Sequence, residues 1–376
     1  MKRIYLDHAA TTPLDKEILD KMLPYFTTDY GNADSPHAFG RTAMNAVDFA
    51  RDKIADLINA KPNEVYFTSG GTESDNWAIY GAAQAQREKG KDHIILSAIE
   101  HHAAKATGEK LEKEGFSVTY VSPNEGGMVE VNAVKDAITD KTGLIAVMYV
   151  NNETGVIQPI QEIAVLAKGI GAVSFTDAVQ AAPYLPLDVK TLGVDMLAFS
   201  SHKIYGPKGC GGLYIRGGVK VKGFIVGGEQ ERGLRGGTTN VPNVVGFANA
   251  YEKTVREMQE NNAKIQRLRE IFLQGISDLD GVKINGEGVP ALLNLQFSGV
   301  SNVDLVYAAD LKGVCIAAGS ACASASIKPS HVLLAMGMGE KAAKESVRIS
   351  LGKDNTEDEM REAATILKEI VLRLRG

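Results

Sequence analysis

The chain has 376 residues, which at about 150 residues per domain argues for two or three compact units, or one large α/β domain with a smaller companion, and excludes a peptide-sized binding module. Hydrophobic residues make up 44% and charged residues 23%, enough to bury a sizeable core and too apolar for a disordered chain. Lys plus Arg (41) against Asp plus Glu (46) leaves a net charge of −5, so the overall balance gives no electrostatic reason for binding nucleic acid or an anionic membrane.

Three cysteines, Cys210, Cys315 and Cys322, are an odd number without Cys-x-x-Cys spacing, which argues against a disulfide framework and a zinc knuckle. The N-terminus turns polar at Asp7-His8 before a signal-peptide core develops, and no apolar run approaches the roughly 20 residues needed to cross a bilayer. A cytoplasmic, reducing compartment is expected, with no membrane partner, no direct nucleic-acid partner and no metal.

From Glu64 to about Arg216 short β-branched runs alternate with amphipathic stretches. The pattern predicts a strand at Val65 to Phe67, a helix from Asp75, a strand from His93 to Leu96, a helix around Ala104 to Glu114, and a strand from Val118 to Val121. It continues with a helix near Val131 to Ala137, a buried-looking run from Gly143 to Val150, a helix from Pro159 to Lys168, and strands at Ala172 to Phe175, Met196 to Ser200 and Gly212 to Ile215. Continuous rather than alternating apolar strands predict a mainly parallel sheet covered on both faces. Asn243 to about Leu279 reads as one long charged helix and a connector. Strands at Val282 to Ile284, Leu292 to Phe297 and Val314 to Ile316, with helices near Val332 to Met336 and Glu357 to Leu374, predict a smaller α+β domain. The expected organisation is an N-terminal segment 1–15 packing with the small domain, a large domain 16–260, and a C-terminal domain 261–376.

Three segments carry candidate chemistry. Ser69-Gly70-Gly71-Thr72-Glu73-Ser74 joins a strand to a helix, where free N–H groups and the helix dipole suit a phosphate, although for this segment taken alone ordinary turn chemistry is the stronger reading. It has neither the P-loop ending nor the dinucleotide Gly-x-Gly-x-x-Gly spacing. Lys203 stands at the end of an apolar strand, where partial desolvation favours Schiff-base chemistry; by position alone the reading as an ordinary surface lysine wins. Asp177 lies at a strand's carboxyl end, the edge where α/β proteins place ligands, or is a cap. Small residues from Ala317 to Ser326 leave Cys322 exposed on a segment with little apolar surface to hold it, so a moving loop is expected. Cys315, between Val314 and Ile316, reads as a small buried apolar residue, and Cys210 as tightly packed.

Together these segments resemble one family along almost the whole chain. Tyr5 to Pro13, Phe67 to Asn76, Glu100-His101, Val150 to Glu153, Asp177 to Gln180, His202 to Gly209, Arg235 to Thr238, Gly319 to Cys322 and Val347 to Gly352 are similar to the motifs of pyridoxal-phosphate-dependent cysteine desulfurases of the NifS and IscS type. The chain departs from that pattern at Ala33-Asp34 and at Ser201. The resemblance implies an α/β, fold-type-I architecture: a large domain with a mainly parallel seven-stranded sheet and a small α+β C-terminal domain. It implies pyridoxal 5'-phosphate as cofactor, joined to Lys203 and held at its ring nitrogen by Asp177, so that the ring acts as an electron sink. His101 would stack on the ring and help in proton transfer, and Asn152 and Gln180 would bond near its phenolic oxygen. Gly71, Thr72, Ser200 and His202 would hold the phosphate, with Thr238 reaching the neighbouring subunit's phosphate in a homodimer. Arg348, with Asn152 beside it, would clamp the substrate carboxylate.

The implied reaction converts L-cysteine to L-alanine, with Cys322 taking the sulfur as a persulfide for an iron-sulfur scaffold protein or another acceptor such as a tRNA-thiolation relay. An aminotransferase or selenocysteine lyase on the same fold would share Lys203 and Asp177 but need no mobile cysteine. A catalytically silent sulfur-relay protein would not need Lys203.

Overall fold

The computed structural model describes residues 3–319 and 328–376. Its centre is a seven-stranded sheet in the order Val65–Thr68, Gly211–Ile215, Met196–Ser200, Val173–Asp177, Thr142–Ala146, His93–Ser97 and Ser117–Val121. Only Gly211–Ile215 runs against the rest. The inner strands are buried along their whole length, because helices cover both faces. Residues such as Phe199, Leu197 and Ile145 pack on one side, and Trp77, Leu96 and Phe175 on the other. Apolar runs without alternation are what a two-sided parallel sheet requires.

A second sheet pairs Ser346–Ser350, Leu292–Phe297 and Val282–Ile284 in antiparallel register. A third is a parallel pair of Ile4–Tyr5 with Val314–Cys315, so the amino terminus lies against the C-terminal elements. The 35-residue helix Val241–Gly275 links the two regions. Near its start Lys53 reaches Glu252 over 2.8 Å, and near its end Arg267 reaches Glu357 over 2.6 Å. Its Asn240 cap accepts from Asn243 N. The last helix, Glu357–Arg375, opens with a capping box of Thr356 and Glu359, which satisfies donors that the first turn leaves free.

Several boundaries differ from the sequence pattern. The helix expected from Asp75 begins at Gly71, a shift that turns the glycine-rich segment from a loop into the helix's own first turn. The run expected from Gly143 to Val150 is a strand only through Ala146. Beyond it the chain stays buried while Met148 N donates to the Glu100 carboxylate and Val150 bridges to Ile157. Cys315 is not a buried core residue: it sits half-exposed on its two-residue strand with Sγ 3.9 Å from Asp310 Oδ1. Cys210 is 2% exposed. The helices Ala38–Leu57 and Asn302–Leu311 and the strand Ser346–Ser350 were not among the predicted elements. Among the described residues no helix is long and apolar enough to cross a membrane.

Candidate active site

The carboxyl ends of the parallel strands open into a cleft of about 460 Å³, where open α/β sheets present their ligand-binding loops. Gly71, Thr72, His101, Asn152, Asp177, Gln180, Ser200, His202, Lys203 and Arg348 all line it. Thr238 is exposed and does not line this chain's cleft. Cys322 and its neighbours from Ser320 to Ser326 lie outside the described residues.

At one end the strand Val65–Thr68 turns through Gly70, whose φ of 150° is open to glycine and strained for a residue with a Cβ. A Cβ on Gly71 would sit 2.8 Å from Val179 Cγ2, so the backbone lies close to the opposite wall. Thr68 Oγ1 and Ser74 Oγ share a hydrogen bond of 2.8 Å, and Ser69 N donates to Glu73 Oε2 over 2.7 Å. Glu73 is itself gripped by Arg235 at 2.8 Å. The turn therefore presents the N–H groups that begin a 17-residue helix, which have no intrahelical acceptor. Ser200 Oγ is buried there without a hydrogen-bond partner. His202 Nδ1 lies 3.1 Å from Thr11 Oγ1; burial, then Lys203 and Lys208, pull its pKa down to about 4.

Deeper in, Asp177 closes the strand Val173–Asp177 and accepts from Val179 N over 2.8 Å. Burial pushes its carboxyl up to about 6, against the pull of that N–H and of Lys203. Behind it stand two further buried carboxyls, Asp75 and Glu100, each with one oxygen unpartnered. Burial first, then Asp177 and Glu100, raises Asp75 well above the carboxylate range. Burial takes Glu100 up to about 8 although Ser97 Oγ and Met148 N both donate to it.

Lys203 ends the single turn Ser201–Lys203 that follows the strand Met196–Ser200. Its Nζ donates to the carbonyls of Ala9 and Ala10, the second over 2.8 Å. Gln180 Nε2 also donates to Ala9 O, over 2.8 Å. His101 caps the helix His102–Lys113 through Nδ1, which accepts from Ala103 N; burial and then Lys203 lower its pKa to about 4, keeping the ring neutral. Arg348 enters from the strand Ser346–Ser350.

A glycine-lined helix start, a lysine amine and a carboxylate at strand ends frame one cleft, and residues 4–362 match the model of the Aminotransferase class-V family. The chain belongs to that family. Among its class-V relatives, the "Cysteine desulfurase IscS" of Methanosarcina thermophila is 45% identical over 378 residues, covering 100% of this chain and 93% of the relative. A solved structure titled "NIFS-LIKE PROTEIN" superposes with a TM-score of 0.93 at 35% identity, covering 99% of this chain and 100% of that one. Another, titled "SspA in complex with cysteine", gives a TM-score of 0.84 at 36% identity, covering 94% and 99%. The chain is therefore a class-V aminotransferase of the cysteine desulfurase type, and enzymes of this type depend on pyridoxal phosphate.

The residues present fit that cofactor. An unpartnered buried hydroxyl at a helix N-terminus suits a phosphate, a strand-end carboxylate suits a pyridine nitrogen, and a lysine amine suits the aldehyde. Asp75 and Glu100 were missed as site residues by reading the sequence. A signal existed for Glu100, a charge directly after the largely apolar run Ile94 to Ile99, which only Ser97 interrupts, and for Asp75, an acid among the apolar positions of its helix.

Proposed function

We propose that the chain is a pyridoxal-phosphate-dependent cysteine desulfurase: L-cysteine and a thiol of the enzyme become L-alanine and an enzyme persulfide. The substrate C–S bond breaks, an S–S bond forms on Cys322, and the substrate's β-carbon gains a proton. The cofactor, once bound, supplies an electron sink for charge developing at the substrate Cα. Gly71, Thr72, Ser200 and His202 hold its phosphate, Asp177 its ring nitrogen, and Asn152 and Gln180 its oxygen edge. Lys203 would be the covalent attachment and, when released, the base at Cα, its amine lying in the cleft where it donates to the carbonyls of Ala9 and Ala10. His101, neutral at physiological pH, would lie against the ring; because Nδ1 accepts from Ala103 N, its Nε2 bears the hydrogen, so the ring is set to donate rather than to accept a proton. Arg348 binds the α-carboxylate.

The single observation carrying this reading is the convergence of Lys203, Asp177 and Arg348 on one cleft in a chain 45% identical to a cysteine desulfurase. We further propose a cytoplasmic homodimer in which Thr238, exposed on this chain, completes the neighbour's phosphate site, and an iron-sulfur scaffold protein or other sulfur acceptor as partner. The proposed domain division at residue 260 falls within the Val241–Gly275 helix, which runs from one unit into the other. Alanine formation from L-cysteine by the purified holoenzyme tests the activity; transamination products without sulfide release would instead favour an aminotransferase.

A further inference from the structure

Arg348 is 1% exposed, among the most buried side chains of the molecule. Its Nη2 donates to Asp7 Oδ1 over 2.7 Å and its Nη1 to the Asn152 carbonyl over 3.0 Å, while Nε is buried without a partner. A guanidinium out of water needs a counter-ion, and Asp7 provides it from a different part of the chain. Asp7 is in turn fixed by its backbone: it bridges to Ser350, and its carbonyl accepts from Tyr5 OH at 3.0 Å and Ala10 N at 2.9 Å. The Asp7 carboxylate therefore occupies one edge of the guanidinium, and an N–H without an acceptor remains.

We propose that Asp7 is a positioning residue that sets how tightly the site holds the α-carboxylate of an amino acid. It fixes the orientation of the Arg348 guanidinium, and its charge opposes the incoming carboxylate. Two anions then share one cation in a site shielded from water, where like charges interact strongly. The substrate consequently binds more loosely than Arg348 alone would bind it. This inference rests on Arg348 being the carboxylate clamp.

Asp7→Asn separates the two effects, because its amide oxygen still accepts from Nη2 while the charge is gone; Asp7→Ser removes the charge and the Nη2 bond together and serves should the first variant fold poorly. Holoenzymes are titrated with L-alanine, which carries the carboxylate without the thiol, and with L-alaninamide, which lacks it, following ligand-induced thermal shifts. Removing the opposing charge should tighten L-alanine about five-fold and leave L-alaninamide unchanged, with KM for L-cysteine falling by a similar factor and kcat not rising. A merely structural Asp7 would give weaker binding of both ligands, and that result overturns the proposal, as does unchanged L-alanine affinity. If Arg348→Ala also leaves L-alanine affinity unchanged, the clamp reading falls and this proposal with it. A large loss in Arg348→Ala with no gain in Asp7→Asn removes Asp7 alone.

Discussion

Lys203 Nζ donates to the carbonyl of Ala10 over 2.8 Å, so the amine of the turn Ser201–Lys203 is tied to the N-terminal segment. The same segment returns the contact: Thr12 N donates to His202 O over 3.0 Å, and Tyr205 N donates to Thr12 Oγ1 over 2.8 Å. On the proposed reading, a lysine placed by its surroundings in this way would lose little ordering entropy on moving a proton.

Lys203→Ala should abolish the visible absorbance of lysine-bound pyridoxal phosphate and lower alanine formation by at least about 10²–10⁴-fold. The fold should survive, because Ala9 O keeps the Gln180 donor at 2.8 Å. Absorbance, circular dichroism and activity on one preparation check this; an unchanged visible band would place the attachment on another lysine.

Glu100 gives a pH dependence of stability with a definite sign. Its folded-state pKa is raised to about 8 by burial, so between about 4.5 and 8 the folded protein retains a proton that the unfolded chain has released. Its contribution therefore falls as pH rises through that window, by up to about 1.4 kcal/mol per pH unit, and is flat above it. Glu100→Gln lacks this term. The variant's unfolding free energy minus the wild type's should grow from pH 5 to pH 8 in denaturant titrations, and a constant difference would show that Glu100 does not titrate there.

Ser201, one of the two departures from the motif pattern, has a fully buried Oγ without a hydrogen-bond partner, and a Cβ built on Gly206 would lie 2.2 Å from it. A buried hydroxyl that makes no bond costs about 1–3 kcal/mol. Ser201→Ala should raise stability by about 1 kcal/mol and Tm by about 1–2 °C, with the catalytic rate unaltered. A lower Tm would mean that the hydroxyl has an acceptor when the enzyme is loaded.

The sheet was legible because its strands are buried on both faces and so appear as unbroken apolar runs, as in Met196–Ser200. The cleft was legible at Gly71, Asp177 and Lys203 because glycines, an acid and a lysine interrupt those runs at their carboxyl ends. Long-range partners left no local trace. Asp7 meets Arg348 across 341 positions, and neither residue's neighbourhood encodes the other. The strand Ser346–Ser350 was hidden for a related reason: an arginine in its middle reads as exposed, whereas Asp7 and the Asn152 carbonyl let it be buried. Cys315 misled in the opposite sense, since apolar neighbours in sequence did not enclose it on a two-residue strand.

Cys322 decides between a desulfurase and the other chemistries that the same cleft permits. The described cysteines make poor substitutes: burial pushes the Cys210 thiol up to about 12, and burial followed by Asp310 raises Cys315 as well, so neither is a ready thiolate at neutral pH. Cys322→Ser should keep the visible absorbance and the spectral change on adding L-cysteine, because Lys203 and Arg348 are intact. It should form no protein persulfide and release almost no alanine, since a hydroxyl is a far poorer nucleophile toward sulfur than a thiolate. Mass spectrometry of the wild type after one turnover should show about 32 Da added to the Cys322 peptide, the mass of one sulfur atom inserted between Sγ and its hydrogen. Sulfide and alanine produced at the wild-type rate by the serine variant would remove the persulfide mechanism, and a persulfide on Cys210 or Cys315 would move the nucleophile to that residue.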